Sequence, residues 1–271
     1  MKNVLLDISN LSLDERIILR LGTADEKQRV LARYKFAKKP FATSGNIKLG
    51  KGVASFSKPY SNGVVSSDTY GSILGSCGEI CAVCGCAGKC YVRHSYWQPS
   101  VRDNHVRNEI VFRDDIDWAF AQMEAYLRRK RKPFALVRID QSGEIETKEE
   151  LIHWINLARE FSVTKFYVYT KNFSVLEEVL RKYGDILPKN FVILISIWHE
   201  SGIDVFKRWY HLPSIKAFVY DDGFDYEAHG IHIETYCMAY DKQGHLNHAI
   251  TCDICKKCFS DIWKVIGCYP H

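Results

Sequence analysis

The feature of this chain that most constrains its fold is an alternation of apolar strands and amphipathic helices across residues 114–236. Runs rich in β-branched and aromatic residues predict strands at 134–140, 165–170, 191–198, 215–221 and 231–236. Apolar residues at helical spacing predict helices between them, at 114–130, 148–161, 174–184 and 205–212. Because a helix between two buried strands usually joins parallel neighbours, the pattern predicts a parallel sheet. We expect an α/β fold with a partial or complete β/α (TIM-like) barrel, and an open doubly wound sheet is the alternative.

The remaining sequence extends this domain at both ends. Ser12 and Glu15 have capping-box spacing and begin a predicted helix at 10–34, and residues 41–76 predict short strands and turns. A chain of 271 residues is near the upper size for one hydrophobic core. We divide it into a helical segment, a barrel-like domain with the first cysteine group, and a cysteine-rich segment, at 1–40, 41–236 and 237–271.

The meaning of the ten cysteines depends on the compartment. The first apolar run is interrupted by charged residues and does not resemble a signal peptide. No stretch approaches the roughly 18 apolar residues that a membrane span requires. We therefore expect a cytoplasmic protein with no membrane partner, in which thiols stay reduced. In that compartment the cysteines predict metal ligation rather than disulfides.

The second cysteine group lies near the end of the sequence. It contains Cys252, Cys255 and Cys258 at C-x2-C-x2-C spacing, with Cys237 fifteen residues before the group and Cys268 ten residues after it. This spacing lets consecutive thiolates reach one centre from a tight loop. A run of this kind with one distant cysteine is typical of a [4Fe–4S] cluster, and a zinc site is the alternative.

The first cysteine group has a more specific spacing, because Cys77, Cys81 and Cys84 match the C-x3-C-x2-C motif of radical S-adenosylmethionine (radical SAM) enzymes. Three thiolates leave one iron of a [4Fe–4S] cluster without a protein ligand, and the methionine part of the cofactor can chelate it. In the alternative, Cys86 or Cys90 closes the site as a fourth ligand.

A turn after the strand at 134–140 offers a site for the same cofactor. Ser142, Gly143 and Glu144 resemble the Gly-Gly-Glu-like turn of radical SAM enzymes, which receives the amino group of S-adenosylmethionine. The turn follows the first cysteine group and one helix, as it does in those enzymes. The alternative is an ordinary turn at a strand end.

Polar residues end the predicted strands at 140–144, 169–172, 196, 198–200, 221–222 and 234. They predict a substrate pocket, because parallel α/β folds place their sites at the carboxyl edge. His199 is a candidate proton donor there, or an ordinary hydrogen-bonded histidine. Residues 91–109 predict either a lid or cofactor-contacting helix or a capped surface helix. The basic run at 128–132 is a solvated turn or a phosphate contact, and the net charge of +5 alone does not indicate nucleic-acid binding.

Several of these motifs, in this order, resemble the gene product 88 family of phages, plasmids and other mobile elements. The motifs are NIKLGKGVASFSKP, CGEICAVC, CYVRHSYWQPSV, RIDQSGEI, FYVYTKN, ISIW and the final CxxCxxCF. The resemblance covers residues 44–262 and implies a fold related to the radical SAM barrels. It implies two four-cysteine sites, formed by Cys77, Cys81, Cys84 and Cys90, and by Cys237, Cys252, Cys255 and Cys258. Cys86 and Cys268 lie outside both sets.

Three functions are compatible with these features. The first is an enzyme with two [4Fe–4S] clusters that cleaves S-adenosylmethionine and needs an electron donor and an unknown substrate. The second is a non-catalytic or redox-sensing iron–sulfur protein of a mobile element that binds nucleic acid. The third is a zinc protein with two four-cysteine sites.

Overall fold

The computed structural model describes residues 11–42, 49–50, 52–80, 90, 92–247 and 249–270. The described helices are α1 (Leu13–Leu21), α2 (Ala24–Lys38), α3 (Val92–Ser95), α4 (Pro99–Asp114), α5 (Ile116–Arg128), α6 (Lys148–Glu160), α7 (Phe173–Tyr183), α8 (Ile203–Trp209) and α9 (Cys252–Cys255). The described strands are β1 (Val53–Ser55), β2 (Val64–Ser67), β3 (Gly71–Leu74), β4 (Leu136–Ile139), β5 (Lys165–Thr170), β6 (Phe191–Ile197), β7 (Ile215–Tyr220), β8 (Thr235–Tyr236) and β9 (Val265–Cys268).

Seven of these strands form one parallel sheet in the order β1-β4-β5-β6-β7-β9-β8. From β1 to β7 the strands follow each other across the sheet in one direction, without the reversal that defines a doubly wound fold. The predicted parallel α/β fold is therefore confirmed. Closure into a complete barrel is not, because β1 and β8 are the two edges of the sheet in the part of the chain that the structure describes. A separate antiparallel pair, β2 and β3, lies outside the sheet.

The two faces of the sheet are covered by different parts of the chain. Successive strand residues point to opposite faces, so each face receives its own row of apolar side chains. On one face Val137 and Phe166 pack with helix residues such as Trp154 of α6. On the other face Leu136 and its neighbours pack with Phe259 of the cysteine-rich segment. That segment therefore lies over the sheet face that the helices leave open.

Most predicted elements are present, with shifts at their ends. The helix predicted at 10–34 is two helices, because Thr23 and Glu26 form a second capping box that starts α2 after Gly22. The strand predicted at 231–236 is only the two residues of β8, which has β9 as its sole sheet neighbour among the described strands. No helix in the described ranges is long and apolar enough to span a bilayer.

The segment at 91–109 contributes to α3 and α4, and the buried second half of α4 is not the predicted capped surface helix. The helix buries His105, Arg107, Asn108 and Glu109. The Asn108 amide donates to the backbone oxygen of Ser57, at 2.8 Å. Burial lowers the pKa of His105 to about 3, with a further effect of the Arg107 guanidinium, so the imidazole is neutral. The Asn108 amide therefore fixes the helix to the segment that follows β1.

Candidate functional site

A cavity of about 170 Å³ lies at the carboxyl ends of the central strands. An engineered cavity of about 150 Å³ accommodates benzene, so the space suits a compact group. Residues in the last part of β4, β5, β6 and β7, or directly after β4, β5 and β6, form one wall, and the cysteine-rich segment forms the other. The cavity is therefore at the edge where parallel sheets hold their sites.

Five thiols line this cavity: those of Cys237, Cys252, Cys255, Cys258 and Cys268. Four of them are the predicted ligands of the C-terminal site, and the structure brings all four to one place. The fifth, Cys268, was predicted to lie outside that set. None of the cysteines that the structure describes is in a disulfide.

A short folded segment presents three of the thiols. Cys252 and Cys255 begin and end α9, and Cys258 lies in a 3-10 turn at Lys257–Phe259. Lys256, with φ of 57°, supplies the left-handed residue that turns the chain between the two. Gly50 packs closely against α9. A Cβ at position 50 would lie 1.9 Å from the Asp253 carboxylate, which explains why this residue is glycine.

Cys258 has the best-defined environment of the five. The Tyr169 hydroxyl at the end of β5 donates to its Sγ, at 2.9 Å. Burial is the main cause that raises the pKa of Cys258 to about 12. The nearby thiols of Cys237, Cys252 and Cys255 contribute to the rise, and the Tyr169 hydrogen bond opposes it. The electrostatic effect of three other thiols on one shows that the four predicted ligands are neighbours.

The thiols are nevertheless not gathered around a single point. Among the described residues, no three side chains of the types His, Cys, Asp and Glu are placed to hold one metal ion. A four-cysteine zinc site needs all four sulfurs about 2.3 Å from one ion. In a cubane cluster each thiolate binds a different iron, so the sulfurs surround a larger volume.

Basic and aromatic side chains surround the thiols. The Arg138 guanidinium lies over the Tyr169 ring at 3.7 Å, and the Lys171 ammonium lies 5.6 Å from the Trp198 ring centre. Trp198 itself stacks on Tyr220 at 3.9 Å. Lys256 and Lys257 also line the cavity, against two acidic side chains, Asp140 and Glu144. The lining is therefore positive in balance, and it favours a negatively charged group.

The turn at Ser142, Gly143 and Glu144 borders the same cavity through its last two residues. The buried Glu144 carboxylate accepts hydrogen bonds from the Thr170 hydroxyl at 2.6 Å and from the backbone NH of Lys171 at 2.8 Å and of Ile145 at 3.0 Å. Burial raises its pKa, and these donors partly offset the rise. Its carboxylate thus joins the ends of β4 and β5 and holds the turn in place.

The first cysteine group starts against this turn. The Ser76 hydroxyl accepts from the backbone NH of Glu144 at 3.1 Å and donates to the backbone oxygen of Pro59 at 2.8 Å. A Cβ at Gly143, where φ is +90°, would lie 2.5 Å from that hydroxyl. Only glycine therefore lets the turn approach the residue that precedes Cys77 so closely.

Tyr96 connects the turn with the first cysteine group from the other side. Burial raises the pKa of its hydroxyl, the Ser142 side chain lowers it, and the thiol of Cys77 contributes a smaller rise. Ser142 and Cys77 thus share one neighbour. Cys90 is half-buried. The other members of the group, Cys81, Cys84 and Cys86, lie outside the described residues, as does His248.

A buried ion cluster beneath the turn was not predicted from the sequence. Lys58 is fully buried, and its ammonium lies 2.7 Å from Glu150 and 3.9 Å from Asp140 and from Glu146. Although burial alone would lower it, these carboxylates raise the pKa of Lys58. The Asp at a strand end was visible in the sequence. The lysine within SFSKPY had no signal, because its partners are about 80 to 90 residues away.

Two other candidates have partners within the chain. His199 Nε2 lies 3.0 Å from Asp222, and its backbone NH donates to the Tyr226 hydroxyl, so the structure favours neither role over the other.

In the basic run Arg128 pairs with Glu124 and Glu160. Lys130 lies 4.7 Å from the Tyr126 ring centre. Part of the basic run therefore contacts other side chains of the same protein.

Comparison with known proteins gives one relationship. No curated protein and no solved structure gives a significant match. The model of the gene product 88 family matches residues 38–260, which is most of the chain and includes both cysteine groups except Cys268. The chain belongs to the gene product 88 family.

Proposed function

We propose that this protein is an iron–sulfur protein whose C-terminal [4Fe–4S] cluster is held by Cys237, Cys252, Cys255 and Cys258. One observation carries the proposal: these four thiols, from two separate parts of the sequence, line one cavity at the carboxyl edge of the sheet. When bound, the cluster supplies one-electron transfer.

The surroundings of the thiols support a cluster. A cluster with four thiolate ligands is negatively charged, and the basic lining offsets that charge. The Tyr169 hydroxyl donates to the sulfur of Cys258, as expected for a group that orients a ligand and tunes its electron donation. The residues Leu49 and Phe259 help to exclude water from the same side.

We further propose a radical SAM-like enzyme with a second cluster at Cys77, Cys81 and Cys84. Cys90, the fourth thiol of that set, has to leave its iron before S-adenosylmethionine can bind there. The contact of Ser76 with the turn at Gly143 and Glu144 supports this role, because it joins the start of the cysteine group to the predicted cofactor turn. The Glu144 carboxylate holds that turn in position, so the other atoms of the turn would bind the cofactor. None of the residues described above identifies the substrate or the electron donor.

The first experiment is metal analysis of the full chain purified without oxygen. We expect a brown protein that contains iron and acid-labile sulfide in equal amounts. Cys255→Ala should lose part of both, whereas Ile254→Ala, which removes an exposed side chain from the same helix, should keep both. A colourless wild-type protein that contains zinc and no sulfide would refute the proposal and favour two four-cysteine zinc sites.

The second experiment tests the radical SAM-like part. Electron paramagnetic resonance spectra of the dithionite-reduced protein are recorded with and without S-adenosylmethionine. We expect the cofactor to change the signal of one cluster, and Cys81→Ala to abolish that change. Two clusters that both ignore the cofactor would instead indicate a non-catalytic or redox-sensing protein. The surplus thiol in the C-terminal cavity favours this second function.

A further inference from the structure

Cys268 lies beside Cys237 at the same edge of the sheet. Residue pairing between β8 and β9 matches Tyr236 with Gly267, so the next positions, Cys237 and Cys268, are also opposite each other. Neighbouring parallel strands are about 4.8 Å apart, and paired residues point to the same face. Both side chains are buried, and they pack together in one small cluster with Ala239.

The backbone around both cysteines is fixed. The backbone NH of Cys237 donates to the oxygen of Gly267 at 2.7 Å, and the backbone oxygen of Cys268 accepts from Asp221 at 2.9 Å. The two thiols are therefore adjacent because of strand register and not because of a flexible loop. A change from one thiol to the other requires side-chain rotation only.

The remaining three thiols come from one segment. Cys252, Cys255 and Cys258 lie within seven residues of each other, so they approach the cavity from the same side. A cluster held by these three needs its fourth ligand from another element. In the described part of the chain, the cavity offers two thiols from the sheet for this one position, Cys237 and Cys268.

We propose that Cys268 is an exchangeable ligand of the C-terminal cluster, able to take the position of Cys237. In the exchange the Cys268 thiol loses its proton and its thiolate forms the iron–sulfur bond. The bond to Cys237 breaks, and that thiolate takes up the proton. The oxidation state of the iron does not change. This inference rests on the proposed function of the site and adds a ligand that the family resemblance leaves out.

The test requires the C-terminal cluster alone, so all variants carry Cys77→Ala, Cys81→Ala and Cys84→Ala. In this parent chain, Cys237→Ala, Cys268→Ala and the double variant are compared by iron and sulfide content. We expect each single variant to keep most of the parent's iron, and the double variant to lose at least half of it. Circular dichroism checks that each variant is folded.

Thiol protection provides a second measurement, which reports on Cys268 itself. Iodoacetamide is added to the cluster-loaded protein, and alkylated cysteines are identified by mass spectrometry. Cys268 should become protected in the Cys237→Ala variant, and removal of iron with a chelator should end that protection.

The outcomes separate this inference from the proposed function. If Cys237→Ala loses as much iron as the double variant, Cys268 is not a ligand and the inference is wrong. The proposed C-terminal cluster is not affected by that result. Full iron in the double variant would also overturn it, because the fourth ligand would lie elsewhere. If the parent chain binds neither iron nor sulfide, the proposed C-terminal cluster fails, and the inference fails with it. A double variant that unfolds is replaced by Cys237→Ser with Cys268→Ser, judged by the same iron content and thiol protection.

Discussion

At the scale of single residues, the Tyr169 hydroxyl is the group most directly placed to control the C-terminal site. It donates to Cys258 from a position at the end of β5, and its ring lies under the Arg138 guanidinium. The sequence indicated the polar ends of the strands, and hence this residue, as pocket residues. It did not indicate the partner, because Cys258 is 89 positions away along the chain.

Replacing this tyrosine should change the reduction potential of the cluster. Tyr169→Phe removes a hydrogen bond to a ligand sulfur, and such bonds favour the reduced, more negative state. A bond worth about 1 kcal/mol more to the reduced state corresponds to about 40 mV for one electron. We expect the midpoint potential to fall by this order in a redox titration followed by electron paramagnetic resonance.

Tyr236→Phe is the matched control for that titration. It also removes a tyrosine hydroxyl, from the half-buried residue that precedes Cys237, but that hydroxyl donates to the Asp221 carboxylate at 2.7 Å and not to a cysteine. Its potential should stay close to that of the wild type. Equal shifts in both variants would show that the Tyr169 hydrogen bond has no specific effect.

At the scale of elements, the pair of β8 and β9 decides where two thiols lie. Neither strand was well predicted: the first was expected to start at 231, and Val265–Cys268 was not predicted at all. Four residues that include a glycine carry almost no strand signal. The insertion of β9 between β7 and β8 depends on contacts between distant parts of the chain, which periodicity does not report.

A larger residue at Gly267 should disturb this pair. A Cβ there would lie 2.7 Å from the Tyr236 ring and 2.9 Å from Ile233. Overpacking of this kind costs about 1–3 kcal/mol. We expect Gly267→Ala to lower the free energy of unfolding by that amount in urea denaturation. The iron content should also fall, because the backbone NH of Cys237 donates a hydrogen bond to Gly267.

Gly63→Ala provides a control for the general effect of a glycine substitution. A Cβ at that position would make only an ordinary contact of 3.6 Å, with the Ser61 side chain. Its iron content should equal that of the wild type. If Gly267→Ala keeps full iron and stability, the close packing of β8 on β9 does not control the position of Cys237.

At the scale of the whole molecule, the alternation of strands and helices was sufficient to predict a parallel α/β fold. It was not sufficient to predict whether the sheet closes, because closure depends on strand tilt and stagger rather than on the pattern within each strand. The candidate site was predicted in part for a similar reason. Cysteine spacing showed which thiols share a loop, but strand order brought Cys268 to the others.

The buried ion cluster should make the stability of the whole molecule depend on pH. Burial raises the pKa of Glu109 to about 8, although the Lys58 ammonium opposes this, and Glu146 and Arg113 also face the group. An acid with a raised pKa binds its proton more tightly in the folded state. Its stabilising effect is thus complete below its ordinary pKa and is lost as the pH rises towards 8.

Glu109→Gln should therefore weaken the pH dependence of unfolding. We expect the free energy of unfolding of the wild type to fall between about pH 5 and pH 8, with a contribution from Glu109 of at most about 1.4 kcal/mol per pH unit. Urea denaturation at several pH values measures the slope. Glu124→Gln, which removes an exposed carboxylate, should retain the wild-type slope. A slope unchanged in Glu109→Gln would mean that this carboxyl is ionised throughout the range.

The strand order at the edge of the sheet also has a consequence for the time at which the site is assembled. In the described sheet β8 touches only β9, yet β9 comes about thirty residues later in the chain. Cys237 therefore reaches its final position only after the strand that carries Cys268 has been added to the sheet. The body of the sheet up to β7 has no such dependence, so we expect it to form before β8 and β9 pair. If the site holds the proposed cluster, that interval gives a prefabricated cluster access to the cavity before the last strand docks.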